Sequence, residues 1–311
     1  MSPPNPRRYL VTFGFLAGGL LALAAAVNYF IDPFDYFGRN TLGVYISAER
    51  EAKLTGLRQH PRDAVLIGTS KAAMIDVSQV SGPAPFYNAS LGGATPEEVI
   101  GLVQHVAPTA PLIVVALDFF QYTDRTPLQP NPFPRETWQR DFGYLFNLQG
   151  LGYAFTTVSG ALRGKPPTLR ADGSFDSTAW RAHNDRADPA ALARIFDDRE
   201  AQWRDFTFSP ARVNDLELLR ATLDHHGVPY VVFINPLNAE DLRRIRRAGL
   251  MPALDQWRAR VLRDFPNALD LADSAYSDPA NFFRLDPVHF YPEVGADLLN
   301  RAVLPHAPKP S

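Results

Sequence analysis

Three separated stretches of the chain hold residue types that together suit nucleophilic chemistry at a carbonyl. The first is Gly68-Thr69-Ser70, which follows the apolar run Ala64-Val65-Leu66-Ile67 and precedes a helical segment. A serine at the carboxyl end of a buried strand can expose its hydroxyl, while the amides of the following helix start face developing negative charge. The plainer alternative is that Thr69 or Ser70 only caps that helix. The second stretch is Asp286-Pro287-Val288-His289, read as a loop ahead of the last helix. A serine hydroxyl is a poor nucleophile until a base takes its proton, and an imidazole base needs a carboxylate to fix its tautomer. Of the seven histidines, His289 is the only one with Asp three positions earlier. The alternative is an ordinary histidine beside a turn aspartate. The third stretch runs from Asn88 to Thr95 through Gly92-Gly93. Its glycines let backbone amides approach a ligand, and the Asn88 side chain could donate a further hydrogen bond, which is what an oxyanion hole requires. A tight strand-to-helix turn would need the same glycines.

Other residues are candidates for substrate contact. Asp118, Gln121 and Tyr122 follow the run Leu112–Leu117, and Asn235 follows Tyr230–Ile234, all at the sheet edge that carries Ser70. The aromatics Phe119, Phe120, Tyr122, Trp138, Phe142 and Tyr144 could stack on sugar rings or simply form a core. Asp118 and Asp124 could serve as the paired carboxylates of a glycosidase. His225-His226 lacks matched metal ligands nearby and suits a helix C-terminus. No phosphate loop or ligand cluster is present, so no metal or nucleotide cofactor is implied.

These residues need a scaffold, and a β–α rhythm supplies one from Asp63 onward. Short, wholly apolar strands are expected at 64–67, 85–88, 112–117, 230–234 and 268–271. Helices are expected at about 96–106, 210–226, 252–264 and from Pro292. Thr95-Pro96-Glu97-Glu98 combines an N-cap, a first-turn proline and a capping-box glutamate. Strands of this kind alternating with helices predict an α/β three-layer sandwich, with a central parallel sheet covered on both faces. Between residues 123 and 208 the rhythm breaks into a Pro-, Trp- and Arg-containing insertion.

The N-terminus predicts a membrane anchor. Arg7-Arg8 precedes an uncharged stretch from Tyr9 to Ile31, long enough to cross a hydrocarbon core of ~30 Å. Arginines before it and Asp32 and Asp35 after it place the remainder outside the cytoplasm, on the periplasmic or extracellular side. Ala22-Leu23-Ala24 and Ala24-Ala25-Ala26 also fit a cleavage site. The expected organisation is an anchor at 1–31, a juxtamembrane segment at 32–60, an α/β domain at 61–304 and a tail at 305–311. The chain has no cysteine, which excludes disulfides and thiol nucleophiles, and its formal charge of −2 suggests no nucleic-acid partner. The basic stretch Arg243–Arg247 reads as a solvated helix face.

Taken in order, the three motifs resemble those of the SGNH (GDSL-like) hydrolase superfamily. Ile67-Gly68-Thr69-Ser70 is similar to its nucleophile segment, with Thr69 where many members carry Asp. The segment from Asn88 to Thr95 is similar to its glycine segment, and Asp286 and His289 to its terminal pair. The resemblance implies an SGNH/flavodoxin-like fold, a Ser70–His289–Asp286 triad, and an oxyanion hole with Ser70 and Gly93 as amide donors beside Asn88. The implied activity is that of an esterase or O-acyltransferase on acyl, chiefly acetyl, esters of a cell-envelope polysaccharide. Anchored relatives of this type act in teichoic-acid D-alanylation or exopolysaccharide O-acetylation beside a multi-pass membrane acyltransferase. One segment departs from the pattern: the family's Gly-x-Asn-Asp after the third strand is replaced by Asp118-Phe119-Phe120-Gln121-Tyr122. Loss of that Asn leaves a rival open, a non-catalytic polysaccharide-binding or assembly protein.

Overall fold

The computed structural model describes residues 6–45, 49–61, 63–82, 84–124, 137–186 and 188–308, and for 137–140 the backbone alone. In chain order the elements are α1 (Pro6–Ile31), α2 (Glu49–Gly56), β1 (Ala64–Ile67), α3 (Ser70–Ala73), β2 (Phe86–Asn88), α4 (Pro96–Val106) and β3 (Ile113–Leu117). There follow α5 (Thr137–Leu145), α6 (Gln149–Leu162), α7 (Thr178–Asn184), α8 (Pro189–Arg204), α9 (Pro210–Val213), α10 (Asp215–His226) and β4 (Tyr230–Ile234). The chain then forms α11 (Ala239–Arg247), α12 (Met251–Asp264), β5 (Leu269–Asp270), β6 (Phe282–Phe283), β7 (Asp286–Phe290) and α13 (Pro292–Leu298). The described residues fall into two compact units, one drawn from 1–55 and 134–169 and the other from 56–133 and 170–311.

The larger unit is α/β. Its five-stranded sheet has the order β2-β1-β3-β4-β5, and every pairing is parallel. The sequences Ala-Val-Leu-Ile and Ile-Val-Val-Ala-Leu are buried at every position of β1 and β3. Branched side chains fit a pleated surface covered by helices on both faces, so these runs need no polar alternation. Leu66, Ile75, Val114, Phe233, Phe290 and Leu298 meet in one core cluster. Helix α4 starts as expected: Thr95 Oγ1 accepts from the Glu98 amide at 3.3 Å, and the Glu98 carboxylate accepts from the Thr95 amide at 3.1 Å. After β1 the chain moves to β2 on one side, and it then returns past β1 to β3 on the other. That reversal opens a crevice at the carboxyl ends of β1 and β3. Ser70 follows β1 there, and Asp118 follows β3.

The smaller unit is helical. Helix α1 stops where Asp32 takes a φ of +49° ahead of Pro33. The buried Asp32 carboxylate then accepts from the amides of Tyr36 and Phe37, each at 2.7 Å, and from the Tyr144 hydroxyl at 2.7 Å. Asn28 donates to the carbonyls of Tyr144, Leu145 and Asn147 at 2.9–3.0 Å, which joins α1 to the end of α5. Residues 7–31 are long and apolar enough to cross a membrane, with a mean hydropathy of 2.2 over the best window.

Several sequence expectations need correction. The segment expected as one insertion divides, since 137–169 pack with the N-terminal unit while 170–208 belong to the sheet unit. The Asn88 amide donates to the Asp172 carbonyl at 2.8 Å, and Arg170 pairs with Asp76 at 2.7 Å. The helix expected over 210–226 breaks at Asn214 into α9 and α10. Arg243–Arg247 is not uniformly solvated, because Arg244 is buried and pairs with Asp241 at 3.0 Å.

Candidate active site

The turn that carries Ser70 admits only glycine at position 68. A Cβ on Gly68 would lie 2.8 Å from both the Ala116 carbonyl oxygen and the Ala72 Cβ. Ser70 then opens α3, with Thr69 on one side and Lys71 on the other. Both neighbours are held by one carboxylate: Asp118 accepts from the Thr69 hydroxyl and forms an ion pair with Lys71 at 3.0 Å. Asn235 donates to the same Asp118 carboxylate at 2.9 Å, and Lys71 also donates to the Pro236 carbonyl at 3.1 Å. Lys71 and Asp118 are each 3% exposed. Taking both ions out of water is costly, and the ion pair with the bonds from Thr69 and Asn235 and to Pro236 offsets that cost. Both hydrogen bonds go to Asp118 Oδ2, and Oδ1 has the ion pair alone.

The same strand end braces the glycine loop. The Asp118 amide donates to Gln121 Oε1 at 3.0 Å, and Gln121 Nε2 donates to the Ala94 carbonyl at 3.1 Å. Gly93, next to Ala94, has a φ of +61°, the left-handed region that favours glycine. Ser70, Lys71, Gly93, Asp118, Gln121 and Val288 line one cleft of about 550 Å³. Phe120 also lines it and so do, from the end of α8 and just beyond it, Arg199, Gln202, Asp205 and Phe206.

The base pair sits on a strand, not on the expected loop. Strand β7 pairs with β6, but the register jumps: Phe282 faces Phe290 while its neighbour Phe283 faces Asp286. Residues 287–289 therefore have no regular opposite number. This irregularity lets side chains three positions apart meet, where a regular strand would send them to opposite faces. His289 Nδ1 lies 2.6 Å from Asp286 Oδ2, and the Trp180 indole donates to the same oxygen at 2.9 Å. Burial alone would raise the Asp286 carboxyl. The hydrogen bonds from His289 and Trp180, with the charge of the imidazole, outweigh burial and hold the carboxyl below its ordinary value. With Nδ1 donating to Asp286, the other nitrogen is the acceptor. That atom, His289 Nε2, is buried and has no hydrogen-bond partner among the described residues. Strand β7 packs against α3, which begins with Ser70.

Not every expected contact forms. The hydrogen bond from Ser70 to His289 is absent, since Nε2 is unpartnered. Such bonds are commonly long without substrate and shorten when it binds. Asn88 is no oxyanion donor: its buried amide donates to the Ala72 and Ile75 carbonyls at 2.9 and 3.1 Å. The last carbonyls of a short helix need donors, and Asn88 supplies them. Asp118, Gln121 and Asn235 bond to one another's neighbours as described above and so brace the turn and the glycine loop; Asp118 Oδ1 and Asn235 Oδ1 are buried without hydrogen-bond partners among the described residues. The Asp118 carboxylate is therefore committed to a cation, which also counts against its use with the exposed Asp124 as a glycosidase pair. Tyr122 is buried against Trp257, with ring centroids 5.4 Å apart, and burial pushes its hydroxyl well above the ordinary range. Phe119 is likewise core, stacked on Trp203 and Phe208. Of the aromatics expected at the site, Phe120 lines the cleft, Phe142 and Tyr144 belong to the helical unit, and the Trp138 side chain lies outside the described residues.

Sequence reasoning missed Lys71 and Trp180. Lys71 left a trace, a lysine directly after the serine and before the apolar Ala72-Ala73-Met74. Trp180 left none, since it reaches Asp286 across 106 positions. No protein-family model matches this chain, and no curated protein matches it significantly.

Proposed function

We propose that the chain is a serine-dependent esterase or O-acyltransferase of the SGNH type, acting on an acyl ester of a cell-envelope glycan from the exported side of the membrane. The observation that carries this reading is the Asp286–His289 pair, whose outward nitrogen is buried and unpartnered on a strand packed against the Ser70 helix. In the proposed reaction Ser70 Oγ attacks the ester carbonyl carbon and its proton passes to His289 Nε2. The oxyanion is held by the amides of Ser70 and Gly93. The tetrahedral species collapses, the ester C–O bond breaks, and the leaving alkoxide takes the proton from Nε2. Water or a sugar hydroxyl then attacks the acyl-serine, gives its proton to Nε2, and releases Ser70 once that proton returns to Oγ. Asp286 orients the ring and stabilises the imidazolium. The third-strand carboxylate, which would repel an oxyanion if free, is neutralised by Lys71, Thr69 and Asn235.

A fluorophosphonate probe on the full-length protein tests this. Covalent labelling of the wild type and none of Ser70→Ala is expected; equal labelling of both, or of neither, would end the catalytic reading. The missing Ser70–His289 hydrogen bond favours a second reading, a non-catalytic glycan-binding protein, which predicts no labelling at all.

A further inference from the structure

Helix α6 has two faces of opposite character, and neither belongs to the site above. Gly150, Ala154, Thr157 and Gly160 form its buried face, and α6 packs along α1. A Cβ on Gly150 would lie 2.2 Å from the Asn28 side-chain oxygen, so the two backbones approach closely there. Small residues at a helix interface permit that approach, in lipid as in water. About half a turn away, Leu148, Phe155 and Leu162 recur at seven-residue intervals and share one stripe. They are 47%, 73% and 83% exposed, and Phe142 in α5 is 61% exposed.

Two observations say what covers this stripe. First, from Phe142 to Arg170 the chain contains no Asp or Glu, and the exposed Arg163 and Lys165 directly follow Leu162. An apolar stripe ending in cations suits a layer with acyl chains inside and phosphates outside. Second, α6 packs against α1, the helix long and apolar enough to cross a membrane, whose Tyr9, Phe13, Phe15 and Leu16 are themselves exposed. At 1.5 Å per residue the span Arg7–Ile31 is roughly 37 Å long, against a hydrocarbon core of ~30 Å, so its last turns reach the interface. Asn28, where α6 begins to pack, lies in those turns.

We propose that α6 is a second membrane-contacting element, a helix that lies in the interfacial layer beside α1. Its Leu148–Phe155–Leu162 stripe and Phe142 enter the acyl chains, while Arg163 and Lys165 meet anionic phosphate headgroups. A membrane-protein partner on the same stripe is the alternative that the test must separate.

The chain has no cysteine, which makes single-site labelling direct. Phe155→Cys, Leu162→Cys, Phe15→Cys and Asp198→Cys variants of the full chain, labelled with a polarity-sensitive fluorophore, would be reconstituted in vesicles containing phosphatidylglycerol. The probes at 155, 162 and 15 should be quenched by nitroxides on lipid chains and protected from iodide; the probe at 198 should show the reverse. Iodide quenching at 155 and 162 while position 15 reports lipid would overturn the inference and leave the anchor intact. Shielding from both quenchers would overturn it in favour of protein cover. An aqueous position 15 would remove the span and the inference with it. Reversing both cations, Arg163→Glu with Lys165→Glu, should lower lipid quenching at 162 by roughly twofold; no change would eliminate the headgroup contact.

Discussion

Asp118 is a buried carboxylate and Asp286 a half-buried one, both in the larger unit, and their partners differ in what they leave open. Asp118 faces a lysine, a hydroxyl and an amide, and all of these partners are fixed donors. These bonds hold Thr69 and Lys71 on either side of Ser70. Asp286 faces an imidazole and an indole. The imidazole has a second nitrogen, and that nitrogen is buried without a partner. An unmet acceptor in a buried place is costly to keep. The contrast lies in the partner: a carboxylate that faces an ammonium and fixed donors positions its neighbours, and one that faces an imidazole with an open far nitrogen can support proton transfer.

Substitutions can break that comparison, beginning with the largest effect. His289→Ala should lower the rate of fluorophosphonate labelling by about 10⁴-fold, while the midpoint of thermal unfolding changes little. Asp118→Ala should instead act on stability, by about 3–5 kcal/mol in urea unfolding, because Lys71 is left buried and uncompensated. The double variant Asp118→Leu with Lys71→Met should recover most of that loss; failure to recover would assign Asp118 a direct part in the chemistry. Trp180→Phe removes one hydrogen bond from Asp286, so a loss of about 1 kcal/mol, or some fivefold in labelling rate, is expected. The smallest effect is an acid limb. The Asp286 carboxyl is held below its ordinary value, so its contribution to stability is complete above about pH 4 and fades as pH falls through the lowered folded-state value. Asp286→Asn should flatten that limb in a comparison of unfolding at pH 2–5.

What the sequence revealed follows the range of the interactions. Apolar runs at 64–67, 113–117 and 230–234 announce buried strands because every neighbour they need is apolar. The capping box at Thr95–Glu98 is legible because its partners lie three residues apart. The Asp286–His289 pairing is legible for the same reason, although Pro287 made a strand look like a loop and nothing local encodes the register jump opposite Phe282 and Phe283. Asn88, Asp118, Gln121 and Asn235 could not be sorted into donors for substrate and donors for the fold. Their partners come from other elements, 117 positions away for the Asn235–Asp118 bond. The division of the insertion is hidden for the same cause.

The helical unit is discontinuous in sequence, and this has a consequence for synthesis. Asn28 bonds to carbonyls that lie 116 to 119 positions later in the chain. At a translation rate of 5–20 residues per second, α1 therefore waits roughly 6–24 s before the residues that satisfy its one buried amide exist. During that interval the newborn helix carries an unsatisfied polar group near its trailing end, and the sheet strands β1 to β3 are made in the meantime. The order of birth thus lets three of the five sheet strands emerge before α1 acquires its permanent neighbours.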